Sequence, residues 1–523
     1  MRARSVEEAS GYQYRVLGLP LAAIVVLASL GLIPGIRQHP VLGPTFWLWT
    51  AFLTLWLALL AYRAGRHHRQ LSLEFIPRKQ HYIQACVQLV VFTYWGRYWP
   101  QVYDHAILIF AQLVFAYAID SLLTWTRREK YVLGFGPWPI IFSTNLFLWF
   151  RDDWFYLQFL MIALGFLGKE FVHWQRDGKS VHIFNPSAFS LGLFSLVLIV
   201  TGTTDLTWGA NIATTLSLAP NIYLVIFLLG LVVMYFFNTT LVSAVAAATL
   251  FGLSALYLEV MKVPYFIDSA IPIAVFLGLH LLVTDPSTSP STPLGKAIFG
   301  CLYGLGVFGL YELLGRFGAP TFYDKLLCVP LLNLSVQGID RFARARLNAG
   351  WVKRLALQQA TTRSNLAYMA VWIAFFSTMA AIGLTDSKHI GDSLPFWQQA
   401  CGDNRRGACE TLLRIERGYC DNNVGWACNE VGLHYAQGGI TTPDPERSHA
   451  YIARSCELGY WTGCVNLRKL ARQMPPASLG SDNPGIPDLR ALLREGGQNL
   501  LTMPEDELYA RACGHGWTFA CLK

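Results

Sequence analysis

Apolar runs of membrane-crossing length follow one another along the first 385 residues, and a polar tail takes over after them. A helix needs about 17 to 25 mostly apolar residues to cross hydrocarbon. On that basis about thirteen spans are predicted, near 17–36, 44–62, 81–99, 104–125, 131–150, 154–171, 185–202, 221–238, 240–260, 268–284, 296–315, 322–338 and 366–385. The run at 131–150 carries Gly134, Gly136, Pro137 and Pro139. It reads as a broken or re-entrant helix, which is tolerated only where protein buries the freed backbone groups. The expected fold class is all-α: a polytopic membrane helix bundle followed by a helical tail.

The short loops between these runs orient the bundle. Arg2, Arg4 and Arg15 precede the first run, Arg63, Arg66, Arg69, Arg78 and Lys79 follow the second, and Arg127, Arg128 and Lys130 follow the fourth. Arg341, Arg344, Arg346, Lys353, Arg354 and Arg363 precede the last. Positive loops stay inside, so the N-terminus is expected in the cytoplasm and, with an odd number of spans, the tail on the outer side. The first run lacks a small-residue cleavage site after it and reads as a retained anchor. Composition agrees with a cell-membrane protein: 53% of residues are hydrophobic and only 14% charged. The net charge of +8 resides in those loops, which argues against a nucleic-acid partner.

The polar tail holds eight of the eleven cysteines, paired at one spacing: Cys401 and Cys409, Cys420 and Cys428, Cys456 and Cys464, Cys513 and Cys521. A regular framework of this kind belongs to an oxidising compartment, the side on which the charge pattern also places the tail. Zinc is the competing reading. Eight residues is wider than the usual ligand pairs, and His434, His449 and His515 keep no register with the cysteines, which favours disulfides. Cys420 to Cys456 and Cys428 to Cys464 are both 36 apart, a period typical of antiparallel helix pairs stacked as an α-solenoid. The strings "ACGDNRRGACETL", "SCELGYWTGCVNL" and "ACGHGWTFACLK" resemble the cysteine-rich Sel-like repeat proteins. That resemblance implies a disulfide within each eight-spaced pair, joining the second helix of one repeat to the first of the next. Solenoids usually present a concave face to a protein partner, so an extracytoplasmic docking platform is expected, against which stands a passive cap.

Two strings in the membrane part carry candidate chemistry: "HIFNPSAFSLGLF" at 182–194 and "HLLVTDPSTSPSTPLGKAIFGCLYG" at 280–304. Asn185, Pro186 and Ser187 in the first and Thr284, Asp285 and Pro286 in the second stand at ends of apolar spans. There, side-chain oxygens bond orphaned backbone groups and the helix ends present partial charges to a bound group. The pair, in this order and about 100 residues apart, resembles the RnfD and NqrB membrane subunits of ion-translocating electron-transport complexes. The stretch "FGPWPIIFSTNLFLWFRDDWFYLQFLMIALGFLGKEF" is also similar to an uncharacterised branch of that superfamily found with enediyne biosynthesis clusters.

The first resemblance implies two inverted halves, similar to urea and ammonium channels, with a flavin in or beside them. Those subunits attach flavin mononucleotide to a threonine in a Ser-Gly-Ala-Thr context on the outer side. Here the corresponding loop reads "TGTTDLTWGANIATTLSLAP" and only Ala213 and Thr214 keep the order. A covalent flavin on Thr214 or Thr215 is therefore less expected than FMN or riboflavin held without a bond, or a quinone.

Ionisable residues at or inside the spans are Arg97, Asp104, His105, Asp120, Lys169, Glu170, Glu259, His280 and Glu312. Such groups pair, line a cavity or act. Cys86, Cys301 and Cys328 are scattered and cannot supply a four-cysteine cluster. No opposed histidines suggest haem, and no phosphate loop, dinucleotide fingerprint or Ser/His/Asp set stands out. The expected partition is 1–130 N-terminal membrane helices, 131–340 RnfD/NqrB-like core, 341–365 basic cytoplasmic linker, 366–387 last span and 388–523 cysteine-rich repeats. Three functions compete: a membrane redox subunit holding flavin or quinone among other subunits, a scaffold or assembly factor of a membrane complex, and a small-solute channel or transporter.

Overall fold

The computed structural model describes residues 16–176, 178–267, 269–346, 361–385, 389–421 and 423–473. It divides into two compact units. The first runs through Ala255 and resumes over Asp268–His389, and the second takes Leu256–Ile267 together with the chain from Ile390 onward. The second unit thus includes a short segment that the sequence partition assigned to the membrane core.

The first unit is mainly helical. Its longer helices are α1 (Gly18–Leu30), α2 (Leu42–Arg66), α3 (Lys79–Gly96), α4 (Ala106–Arg127), α5 (Pro137–Phe147), α6 (Tyr156–Phe171) and α7 (Pro186–Thr201). They continue with α8 (Ile222–Phe237), α9 (Thr240–Met261, whose last turns join the second unit), α10 (Ile273–Leu281), α11 (Pro293–Arg316), α12 (Asp324–Arg346) and α13 (Thr362–Ala381). Every predicted span therefore contains a helix. Among the described residues five helices are long and apolar enough to cross a bilayer by length and composition, and a bent pair ending in α8 would make a sixth. Among the described residues the strands form two small pairs. β1 (Ser72–Phe75) lies parallel to β2 (Lys130–Leu133), and β3 (His173–Arg176) turns back on β4 (Lys179–His182).

Two runs form only half-length helices. α5 has 11 residues and α10 has nine, about 16 and 14 Å of rise against about 30 Å of hydrocarbon. Proline sets where each begins: Pro137 and Pro139 open α5, and Pro272 stands directly before α10. Both are sheathed by protein. All nine residues of α10 are buried, as are Pro137, Pro139 and the whole run from Ile141 to Phe147 in α5. That enclosure permits interrupted backbone at membrane depth.

Around these half-helices the unit repeats itself. α5 packs on α3, and α10 on α8; α6 packs on α7, and α11 on α12; α3 meets α8 and α7 meets α12 at the centre. The two halves run in opposite senses. The chain leaving α5 bridges Phe150 to Thr207, beyond the far end of α7, whereas the chain leaving α10 meets the start of α7, where Asn185 Nδ2 donates to the Leu282 carbonyl at 3.5 Å. α7 itself is 16 residues, about 24 Å, between those points.

The second unit comprises α14 (Leu394–Gly402), α15 (Ala408–Asp421), α16 (Gly425–Gln437), α17 (Pro445–Glu457) and α18 (Trp461–Ala471). Disulfides join Cys401 to Cys409, Cys420 to Cys428 and Cys456 to Cys464, each linking the end of one helix to the start of the next. The pair Cys513 and Cys521 lies outside the described residues. Small residues allow the helices to close on one another. Gly432 presses on Ile452 and Gly463 on Ser455, where an added Cβ would sit 2.4 and 2.2 Å from side-chain atoms. Val263, from the inserted segment, shares a core with Trp397, Ala400, Ala408 and Leu412.

Candidate functional site

The two motif strings meet at one end of the first unit. Asn185 precedes α7 and caps it: its Oδ1 accepts from the Ser187 and Ala188 backbone N–H groups at 3.1 and 3.2 Å and from the Ser187 hydroxyl at 2.7 Å. Pro186 follows as the first helical residue, where its missing N–H is no loss. In the second string Thr284 turns its hydroxyl back onto the His280 carbonyl at 2.8 Å. Asp285 organises the following turn. Its Oδ1 accepts from Ser287 N and Oγ at 2.9 and 2.5 Å, and its Oδ2 from the Thr288 hydroxyl at 3.2 Å.

Asn333 of α12 ties the strings together, accepting from Asn185 N at 3.2 Å while its Nδ2 donates to the Thr288 carbonyl at 3.1 Å. Arg176, at the tip of β3, clamps the same loop from outside. Its guanidinium donates to the Ser287 and Ser289 carbonyls at 3.2 and 2.9 Å and pairs with Asp340 at 2.8 Å. His182 Nε2 lies 3.2 Å from the Ser287 hydroxyl. Burial pushes the His182 imidazole below its ordinary value against the opposing pull of Asp285, and Lys169 and His173 add to the lowering. The site is a braced junction with imidazole at its edge, in which the amide of Asn185 and the carboxylate of Asp285 are both engaged by their own backbone.

Thr214 and Thr215 are not part of this junction. They end a short helix, Gly209–Thr215, that follows the opposite end of α7. The Thr214 hydroxyl donates to the Ala210 and Asn211 carbonyls at 3.1 and 3.2 Å, and Thr215 to Asn211 at 2.6 Å. Of the charged residues singled out in the spans, several are paired. Lys169 meets Asp120 at 3.0 Å, Glu170 meets Arg128 at 2.8 Å and Arg127 at 3.4 Å, and Glu259 and Glu312 pair with Lys262, just past the end of α9, and with Arg316 of α11, each at 2.8 Å.

A second polar cluster escaped the sequence reading because none of its members except His105 is ionisable. Around α5, Gln88 Nε2 donates to Ser143 Oγ at 2.7 Å, and Asn145 exchanges bonds with Gln112 at 2.7 and 3.2 Å. Gln158 donates to Gln112 at 3.0 Å and accepts from the Phe150 N–H at 3.0 Å. His105 stacks on Trp149 with ring centres 4.4 Å apart. The available signal was amide side chains recurring in otherwise apolar runs, an expensive placement inside a bilayer.

Comparison with known proteins gives one partial likeness. Over 75 residues the chain is 39% identical to the D subunit of the ion-translocating oxidoreductase complex of Actinobacillus succinogenes. The match covers 14% of this chain and 19% of that relative's length. No family model matches the chain, and no solved structure does either.

Proposed function

We propose that this protein is a membrane subunit of an electron-transfer complex, holding a flavin without a covalent bond, or a quinone, beside the junction of α7 and α10. The partial identity to a protein of an ion-translocating oxidoreductase complex is the observation that carries this reading. In it the Asn185–Ser187 and Thr284–Pro286 turns frame the site, and the His182 imidazole supplies a polar contact at its rim. A bound flavin would supply one- and two-electron transfer. Thr214 and Thr215 are unsuited to attachment, lacking the Ser-Gly-Ala-Thr context and bonded back onto their own helix. The cysteine-bonded unit would face the extracytoplasmic side and dock a partner protein, with the N-terminus in the cytoplasm.

The absorption spectrum of the intact protein purified in mild detergent tests the redox reading. A band near ~450 nm, released by acid as free flavin, is expected. A colourless preparation without extractable quinone overturns it. A phosphatase fused after Lys523 should be active, and an inactive fusion beside an active cytosolic reporter reverses the topology.

A second reading, a non-catalytic scaffold of a membrane complex, draws on the saturation of Asn185 and Asp285 by their own turns. Copurification with other subunits but no chromophore would favour it.

A further inference from the structure

The start of α9 combines three features that one ligand would explain. Thr239 and Thr240 open that 22-residue helix, both fully enclosed, and neither hydroxyl has a hydrogen-bond partner. Beside them the Lys296 ammonium, 8% exposed, donates to the Asn238 carbonyl at 2.6 Å. A helix start also directs unpaired N–H groups and partial positive charge outward. The ammonium and the helix-start N–H groups are donors, and each threonine hydroxyl can donate, so one acceptor would suit them all.

Charge counting leads the same way. Arg176, Lys296 and Asp340 lie within electrostatic reach of one another. The Asp340 carboxylate is already engaged by Arg176 at 2.8 Å and by the Ser291 N–H and hydroxyl at 3.0 and 3.2 Å. Among the described groups that act on Lys296, Asp340 is the carboxylate, and Arg176 and Ser291 already engage it. An enclosed ammonium in a membrane domain is expensive, and one negative charge beside it offsets that cost.

We infer that Thr239, Thr240, Lys296 and the first turn of α9 bind a single monovalent inorganic anion of chloride size. Enclosure argues against a lipid phosphate or a cofactor phosphate, since each donor residue is at most 8% exposed, and the single ammonium facing the threonines argues against a divalent ion. The anion locks the α8–α9 connection to the start of α11, so it acts as a structural ligand of the half that contains α10. This inference is independent of the proposed redox function.

Equilibrium dialysis of the full chain in detergent against radioactive chloride, with gluconate holding ionic strength constant, tests it. Saturable binding of about one chloride per chain is expected, together with a saturable rise in thermal stability. Lys296→Met, which keeps the stem and removes the charge, should weaken binding at least about tenfold. Should that variant fail to fold, a Thr239→Val and Thr240→Val double variant, which retains the charge, should weaken it severalfold. Absence of saturable chloride binding to the wild type overturns the inference, as does saturation by phosphate alone. Wild-type affinity in a folded Lys296→Met protein also overturns it.

Discussion

Asp285 separates a cap from a ligand contact. Replacing it with alanine removes the acceptor for the Ser287 N–H, the Ser287 hydroxyl and the Thr288 hydroxyl at once. Hydrogen bonds to a charged acceptor contribute about 1.5–3 kcal/mol each, less where water can replace the carboxylate. Asp285 is partly exposed, so the two hydroxyls regain much of their loss and the backbone N–H the least. The expected net loss is about 2–3 kcal/mol for Asp285→Ala. Asp285→Asn keeps an oxygen for Ser287, and the Thr288 hydroxyl can turn to accept from the new amide, so about 1 kcal/mol or less is expected. Leu196→Ala, on an exposed stretch of α7, serves as the neutral comparison. Thermal unfolding and flavin content should be measured on the same detergent preparations. Graded destabilisation at constant flavin content per folded protein is the result expected of a cap. An Asp285→Ala protein as stable as the wild type refutes the reasoning, and chromophore loss from a fully stable Asp285→Asn protein would assign the carboxylate to the ligand.

Removing the Cys420–Cys428 bridge with paired alanines should destabilise the second unit by about 2.5 kcal/mol, the loop-closure value for so short a loop; chemical denaturation of the full chain followed by Trp426 exposure would measure it. Gly230→Ala should be severely destabilising, by about 2–3 kcal/mol, because the new Cβ would sit 2.2 Å from the buried His280 ring, whereas Gly252→Ala meets nothing within 4 Å and should be neutral or mildly stabilising. Thermal stability of the two variants side by side decides it. Burial lowers the pKa of both His182 and His173, so the unfolded chain binds more protons below the ordinary imidazole pKa near 6.5. Stability should therefore fall as pH drops through that value and on toward the folded pKa values, and His182→Gln should flatten the fall.

Much of this architecture was legible in the sequence, for identifiable reasons. Each of the thirteen predicted spans has a helix because long apolar runs admit little else in a membrane. The interruption at 131–150 announced itself through two glycines and two prolines. The run at 268–284 carries a single proline near its start, Pro272, and one glycine, Gly278, a weaker signal that the sequence reading did not use; the nine-residue α10 emerges from the structure, bounded by Pro272 before it and by the turn built by Asp285 after it. Eight-residue cysteine spacing could be read as disulfides because consecutive antiparallel helices bring an end and a start together. The amide cluster around Gln112 and Asn145 and the enclosed Lys296 were opaque. Each joins residues from separate helices, and nothing local to any of them reveals the partner.

The meeting of the two motif strings constrains the fold more than either string does alone. Asn185 stands where a helix begins and Asp285 where one has just ended. In two halves related by simple parallel duplication, a helix beginning and the corresponding half-helix ending would lie at opposite depths. Here Asn185 Nδ2 reaches the Leu282 carbonyl and Asn333 bridges to Thr288, which requires α10 to end on the side where α7 begins. The equivalent ending in the other half, Phe150 after α5, lies at the far end of α7 against Thr207. The inversion follows from those contacts. It places the turn chemistry of both motifs on one face and leaves the Thr214 loop on the other, so a group bound at the junction and a group bound near Thr214 would be separated by about the 24 Å length of α7.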